Sequence, residues 1–179
     1  MAPTATAYCG PVKDIEPASP RWLDEEEQAA WRAFLTLSQH VRRECERQLI
    51  ADSNMALTHY SILVSLSEAP QRTLRMSDLA QATDGSQSQM SHAVNRLERR
   101  GWIVRKPCET DGRGANAVLT DAGLEALRQA APGHVACVRE VLIDALSADQ
   151  LAQLRTVSEV ALQQAPVPQE GVPAARPTG

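Results

Sequence analysis

The sequence lacks the marks of several common protein classes. Only 3% of its 179 residues are aromatic, so aliphatic side chains and alanine must supply most of its core. It has no apolar run of about eighteen residues, the length that a transmembrane helix needs. The first residues, MAPTATAYCG, also lack the basic and then apolar regions of a signal peptide. We therefore predict a cytoplasmic protein with no membrane partner.

Signatures of metal sites, disulfides and enzymes are also missing. Cys9, Cys45, Cys108 and Cys137 form no C-x-x-C pair, which argues against a zinc finger and against a secreted disulfide framework. His134 and Cys137 share a helix face, but no second ligand pair accompanies them. The chain has neither a glycine-rich phosphate loop nor a G-x-S-x-G motif. These absences predict a protein that is not an enzyme and that binds no metal or cofactor.

Positive charge is concentrated in the middle of an acidic chain. Residues 71–113 hold eight of the 18 basic residues but only five of the 22 acidic ones, in a chain of net charge -4. Within residues 86–107 there are five basic residues, and Glu98 is the only acid. This distribution would orient the molecule in the field of a polyanion, although a charged face that merely contacts water is the alternative.

Prolines and polar caps outline the elements of the chain. Prolines interrupt both ends, so neither end is predicted to sustain a helix. The acids of DEEE suit the first turn of a long helix that starts near Asp24. Thr58, Thr120 and Ser147 are placed to cap later helices, which carry apolar residues at three-to-four spacing.

The helix of the basic segment is predicted to have two distinct faces. Ser86 and Gln89 match an S-x-x-Q capping box, and Gly101 stands where a left-handed C-cap belongs. Residues 90, 94 and 97 are apolar and spaced to pack inward. The opposite face presents hydrogen-bonding and cationic groups, the types that read base edges and grip phosphates. Its members are Gln87, Ser88, Ser91, His92, Asn95, Arg96 and Arg99.

A β-hairpin is predicted directly after this helix. The apolar residues of GWIVRKP begin one strand, CETDGRG supplies a turn, and NAVLT supplies the returning strand. With the short helix and turn before it, the capped helix forms a helix-turn-helix, and the hairpin forms its wing. Arg113 at the Gly-rich tip is placed to enter a minor groove, and Arg105 and Lys106 are placed to meet flanking phosphates.

The predicted fold class is mainly α with a small β-wing. Long apolar helices at both ends leave faces that would seek burial in a symmetric interface, so we assign them to dimerisation. The predicted segments are a flexible N-terminal arm at 1–21, an N-terminal dimerisation helix at 22–56, a winged helix-turn-helix domain at 57–120, C-terminal dimerisation helices at 121–164, and a disordered tail at 165–179.

The order of these elements and two motifs resemble the MarR family of winged helix-turn-helix transcription regulators. SQSQMSHAVNRLERRGWIVR, residues 86–105, is similar to the family's recognition helix and the start of its wing. DGRGANAVLTDAG, residues 111–123, is similar to the D-x-R...LT-x-x-G signature of its wing. The resemblance extends from about residue 29 to about residue 164.

The resemblance implies a homodimer that represses genes by binding double-stranded DNA, with its two winged modules in successive major grooves of a pseudo-palindrome. It implies base recognition by Ser86, Gln87, Ser88, Ser91, His92, Asn95 and Arg96, and wing or phosphate contacts by Arg99, Arg105, Lys106, Asp111 and Arg113. Asp111 would brace Arg113 or a neighbouring base of the site. Members often carry a second arginine beside the first at the wing tip, and its absence here predicts a weaker grip.

Family members also commonly release DNA when a small aromatic or anionic ligand enters the cleft beside the dimer helices. The candidate pocket residues are His40, Arg43, Arg47, His59 and Tyr60, each with an alternative as a core or interface polar group. Two other hypotheses stay open. A winged helix can dock an acidic protein partner in place of DNA. The second is a redox-sensing thiol, because Cys45 and Cys108 both have basic neighbours in the sequence.

Overall fold

The computed structural model describes residues 21–82, 87–107 and 115–164. Within these ranges the helices are α1 (Glu25–Ser53), α2 (Leu57–Glu68), α3 (Met76–Ala82), α4 (Gln87–Arg99), α5 (Asp121–Val138) and α6 (Ala148–Gln164). The strands are β1 (Thr73–Arg75), β2 (Ile103–Pro107) and β3 (Ala115–Leu119). A 3₁₀ turn, Pro70–Arg72, precedes β1, and a π-helical turn, Arg139–Ile143, follows α5. The architecture is the predicted one, mainly α with a small β-wing.

The described part of the chain divides into two compact units, one that ends at Thr36 and one that begins at Leu37. In the described part of the first unit, Asp24 and Glu27 cap the start of α1 reciprocally. The Asp24 amide donates to Glu27 Oε2 at 3.0 Å, and the Glu27 amide donates to Asp24 Oδ1 at 2.8 Å. The predicted helix start is therefore confirmed. Trp31 and Phe34 stack with 6.1 Å between ring centroids, yet they are 52% and 60% exposed in the single chain.

The second unit is built around one core to which α1, α2, α3, α4, the sheet and α5 all contribute. The side chains are mostly aliphatic, as the low aromatic content predicts. The buried cluster consists of Leu49, Met55, Tyr60, Ile62, Leu63, Leu66, Leu79, Ala80, Met90, Ala93, Val94, Leu97, Ile103, Ala117, Leu119, Leu127 and Ala130. Because residues of α4 and of both wing strands enter this cluster, the candidate site rests on the same core as the rest of the unit.

The sheet has three antiparallel strands in the order β1, β3, β2. Ile103 pairs with Leu119 and Arg105 with Ala117, which confirms the predicted hairpin of β2 and β3. On the other edge of β3, Leu74 pairs with Ala117. The sequence did not predict β1, because three residues are too few to show the alternation that identifies a strand. The central strand is therefore β3, held on both edges.

The base of the wing is fixed by a cap and by two glycines. Thr120 Oγ1 accepts the amide of Gly123 at 3.0 Å and donates to the carbonyl of Gly101 at 2.7 Å. Gly101 has φ +72°, the left-handed conformation predicted for a C-cap. Gly123 lies directly against the backbone carbonyl of Trp102. This close approach explains the glycine of the LT-x-x-G motif.

The predicted cap of α6 is present, and the predicted cap of α2 is not. Ser147 and Gln150 cap α6 reciprocally, with bonds of 2.9 Å and 3.3 Å, as predicted. The predicted Thr58 cap is wrong, because α2 already begins at Leu57. The Leu57 amide instead donates to Glu46 Oε2 of α1 at 2.7 Å. The start of α2 is thus satisfied by a carboxylate from another helix.

Candidate nucleic-acid interface

The helix α4 presents only one of its faces to the core. Met90, Val94 and Leu97 are 1%, 0% and 0% exposed, as their spacing predicts. Burial of this stripe fixes the rotation of the helix about its axis, so the opposite face must look outward. The local sequence is therefore sufficient to decide which side chains are available to a partner.

The outward face of α4 is polar and cationic. The exposed side chains on it are Ser88, Ser91, His92, Asn95, Arg96 and Arg99. Five residues of the helix, His92, Asn95, Arg96, Glu98 and Arg99, line a depression of about 500 Å³. Sites for drug-sized ligands are usually lined by apolar and aromatic side chains, which this depression lacks. An extended polar partner suits it better.

Four of the predicted site residues fall at or beyond the limits of the described chain. Ser86, Asp111 and Arg113 lie outside the described residues. Gln87 is the first residue of α4, and its side chain is likewise outside the description. The capping box at Ser86 and the minor-groove role of the wing tip therefore stay predictions.

The two basic residues of β2 differ in their surroundings. Lys106 is exposed. Arg105 is 30% exposed and turns towards α4, where Nη2 donates to the carbonyl of Ser91 at 3.2 Å. Its Nη1 lies 3.8 Å from Glu98 Oε2. Arg105 is thus engaged within the chain, whereas Lys106 is open to a partner.

Arg100 forms an anchor that sequence reasoning missed. Its Nη2 donates to the carbonyl of Asn54 at 2.9 Å, and its guanidinium carbon lies 4.8 Å from the centroid of the Trp102 ring. These contacts tie the end of α4 to the turn between α1 and α2. The carbonyl belongs to a residue 46 positions away, so no local pattern could have revealed it.

A buried imidazole lies near the basic end of α4. His59 is 8% exposed, and burial lowers its pKa. The positive charges of Arg100 and Arg96 lower that pKa further, while Glu46 acts in the opposite direction. His59 Nδ1 is buried without a hydrogen-bond partner in the described part of the chain. This residue is therefore a neutral core group near neutral pH.

The predicted pocket residues do not share one environment. On α1, His40 Nδ1 lies 3.1 Å from Arg43 Nη2, and Arg47 donates two hydrogen bonds to a glutamate one turn earlier. On α2, the Tyr60 ring lies 4.3 Å from the ring of His134. Burial raises the pKa of Tyr60 and lowers that of His134. The structure thus pairs the α1 cations locally and brings Tyr60 against α5.

Cys45 and Cys137 are free, buried thiols. Burial, together with the neighbouring Cys137, raises the pKa of Cys45 to about 11. A sensing thiol needs a lowered pKa, so this value argues against the redox hypothesis for Cys45. Cys108 lies outside the described residues.

Within residues 21–82, 87–107 and 115–164, no three potential ligands from histidine, cysteine and the acids are grouped to hold a metal ion. The helices of the same ranges include none that is both long and apolar enough to span a bilayer.

Comparison with known sequences points to one family. A family model described as the MarR family matches residues 53–114. The transcriptional repressor MprA of Escherichia coli (strain K12) is 30% identical over 101 residues, which are 56% of this chain and 57% of that protein. The HTH-type transcriptional regulator PecS of Dickeya dadantii (strain 3937) is 36% identical over 55 residues, 31% of this chain and 33% of that protein. The matched part of the chain thus spans little more than half the length of MprA and a third of PecS.

Two solved structures match over a larger part of the chain. Sco3205, a MarR family transcriptional regulator from Streptomyces coelicolor in complex with DNA, is 41% identical with a TM-score of 0.76. That match covers 82% of this chain and 91% of the other. AbsC, a MarR family transcriptional regulator from the same organism, is 41% identical with a TM-score of 0.73, covering 80% and 97%. The similarity therefore concerns the whole fold and not the helix α4 alone.

Proposed function

Because the chain belongs to the MarR family of transcriptional regulators, we propose that it is a sequence-specific repressor that binds double-stranded DNA as a homodimer on a pseudo-palindromic operator. The MarR family and the relatives that this chain matches are transcriptional regulators, not enzymes. A cytoplasmic location accompanies this proposal, since the operator lies on the genome.

The observation that carries the proposal is the outward face of α4. Asn95 and Arg96 are exposed there, opposite the buried stripe, and they are the side-chain types that bond adenine and guanine edges in the major groove. The hairpin of β2 and β3 follows the helix directly, where a wing can reach the next groove. Sco3205, at 41% identity, is described in complex with DNA, which supports the same partner for this chain.

We assign roles by position on the helix and the wing. Base contacts are proposed for Ser86, Gln87, Ser88, Ser91, His92, Asn95 and Arg96. Arg99 and Lys106, both exposed, are the proposed phosphate ligands. Arg113 would enter the minor groove with support from Asp111.

A homodimer would cover apolar side chains that the single chain leaves exposed. These are Trp31 (52%), Phe34 (60%) and Ile50 (52%) on α1, and Val157 (61%), Val160 (54%) and Leu162 (74%) on α6. Monomers seldom expose large apolar patches, which usually mark partner surfaces. Sedimentation should give twice the chain mass of 19.5 kDa. A mass of 19.5 kDa at every concentration would contradict the dimer.

A small aromatic or anionic effector that releases DNA completes the proposal. Tyr60 and His134 offer aromatic rings, Arg43 and Arg47 of α1 offer cations to an anion, and His40 lies beside Arg43. Titration with benzoate, a minimal aromatic carboxylate, should raise the melting temperature of the protein and lower its affinity for DNA. If benzoate changes neither the melting temperature nor the affinity for DNA, it does not act as an effector at this site.

The proposed function is tested by gel shift on duplexes recovered from a random-sequence library. The logarithm of the binding constant should fall with the logarithm of salt concentration by about 0.9 for each phosphate neutralised. Asn95→Ala and Arg96→Ala should each cost about 1–3 kcal/mol on the preferred duplex and reduce the preference over random duplex. Arg128→Met removes an exposed cation of α5 and should leave the preference unchanged.

Failure to recover any preferred duplex would refute the proposal. If the purified protein instead bound an acidic protein partner without any duplex, the docking hypothesis would replace it.

A further inference from the structure

The acid on the outward side of α4 needs an explanation. Glu98 is the only acidic residue of the helix, and it lines the same depression as Arg96 and Arg99. A carboxylate at that place repels the phosphates of a duplex and weakens the electrostatic part of DNA binding. Its contacts with β2 supply a reason for its presence.

Both carboxylate oxygens of Glu98 approach Arg105. Oε1 accepts the backbone amide of Arg105 at 3.3 Å, and Oε2 lies 3.8 Å from Nη1 of the same residue. β2 is an edge strand of the sheet. An amide on its outer side needs a partner other than a strand, and Glu98 provides one.

The guanidinium of Arg105 contacts α4 at a second position, closer to the start of the helix. Nη2 donates to the carbonyl of Ser91 at 3.2 Å, about two helical turns before Glu98. Nε is buried and has no hydrogen-bond partner among the described residues. Arginine directs one terminal nitrogen at each of the two points, whereas a lysine side chain ends in a single ammonium, so the arrangement matches the fork shape of arginine.

We propose that Glu98 and Arg105 form a brace that sets the position of α4 against β2, with the Ser91 carbonyl as its second anchor. The inference rests on the proposed function, since base contacts from α4 and groove contacts from the wing must be made at the same time. Arg105 is then a positioning residue and not a phosphate ligand. Val94, Leu97 and Ile103 are fully buried in the core, so we expect that losing the brace loosens the helix while the core remains.

The test compares three variants on the duplex preferred by the wild-type protein. Glu98→Ala should weaken binding about two- to tenfold, although it removes a negative charge from the DNA face. Arg105→Met should weaken binding about five- to twentyfold, with the salt dependence unchanged. Arg105→Lys keeps the charge but loses the fork, so its affinity should lie near that of Arg105→Met.

Two controls separate the brace from ordinary charge effects. Arg99→Met removes a proposed phosphate ligand and should reduce the salt slope by about one unit. Glu125 and Arg128 form a matched exposed pair on α5 at 4.0 Å, and Glu125→Ala should leave DNA affinity unchanged. The proposal is overturned if Glu98→Ala tightens binding, or if Arg105→Lys binds like wild type while Arg105→Met loses about one unit of salt slope.

Hydrogen exchange of the free protein tests the brace in the absence of DNA. The Arg105 amide should exchange faster in Glu98→Ala, and the last turn of α4 should exchange faster in both Glu98→Ala and Arg105→Met, but not in Arg99→Met. Unchanged exchange in the first two variants overturns the brace. If no preferred duplex exists, the proposed function fails, and exchange alone then decides whether the two elements are braced.

Discussion

Replacing Gly123 by alanine should destabilise the protein through a collision with backbone. A Cβ at this position would overlap the carbonyl oxygen of Trp102 and lie 2.7 Å from Leu119 Cδ1 and 3.0 Å from the Trp102 carbonyl carbon. The backbone must then move by roughly an ångström, and overpacking of this kind costs about 1–3 kcal/mol. The shift also strains the bond from the Thr120 amide to the Trp102 carbonyl, now 3.0 Å, at about 0.5–1.5 kcal/mol.

The helical preference of alanine offsets about 0.5–1 kcal/mol of this cost. We therefore expect a loss of about 1–3 kcal/mol in the free energy of unfolding, seen as a fall of roughly 3–10 °C in the melting temperature. Calorimetry at a fixed protein concentration measures both quantities, because dimerisation makes melting dependent on concentration.

Two other glycines provide the controls. At Gly133 a Cβ would meet only side-chain atoms, Gln48 Nε2 at 2.6 Å and Asp52 Oδ2 at 3.1 Å, which can move away. Gly133→Ala should therefore be close to neutral. At Gly101 nothing lies within 4 Å, but φ is +72°, so asparagine should be tolerated better than alanine. A melting temperature for Gly123→Ala equal to that of Gly133→Ala would refute the reasoning.

Three further predictions concern buried or partly buried side chains. Because burial lowers the pKa of His59, its contribution to the free energy of unfolding should be complete above the ordinary pKa of 6.5 and should be lost as the pH falls below that value. Urea denaturation across pH should show this loss. His59→Gln should reduce the pH dependence and leave the part that His134, whose pKa is also lowered, contributes. Cys45 should be alkylated far more slowly in the folded than in the unfolded chain at pH 8, because burial raises its pKa to about 11. Mass-spectrometric mapping measures the rate, and rapid labelling of the folded chain would contradict the burial of Cys45. Glu46→Ala should cost about 0.5–2 kcal/mol in thermal unfolding by removing the cap of α2, and Glu46→Gln, which keeps an acceptor, should cost less.

Features set by neighbouring residues could be predicted from the sequence. The buried stripe of α4, the Thr120 cap and the left-handed Gly101 each depend on residues only a few positions apart, and the hairpin joins two strands that follow one another in the chain. The resemblance to the MarR family, drawn from two motifs, is confirmed by the comparisons. The structure adds a reason for one motif residue, Gly123, whose missing side chain makes room for the Trp102 carbonyl.

Features set by distant partners could not be predicted. The Glu46 carboxylate caps a helix that begins 11 residues later, and the cap replaced the expected Thr58. The contacts of individual cations could not be predicted for the same reason. Arg100 bonds the Asn54 carbonyl, and Arg105 bonds the Ser91 carbonyl, so part of the positive charge of residues 71–113 holds the fold together. A count of cations in the sequence therefore does not show how many also make contacts within the chain.

The shared core has a consequence for any attempt to cut the winged module out of the chain. Leu49 and Met55 before the module, and Leu127 and Ala130 after it, are buried in the same cluster as the residues of α2 and α4. A fragment trimmed to residues 57–120 would lose the Glu46 cap of α2 and all four of these buried side chains. Such a minimal peptide should behave as a partly melted chain, so the smallest autonomous folding piece has to retain the end of α1 and the start of α5.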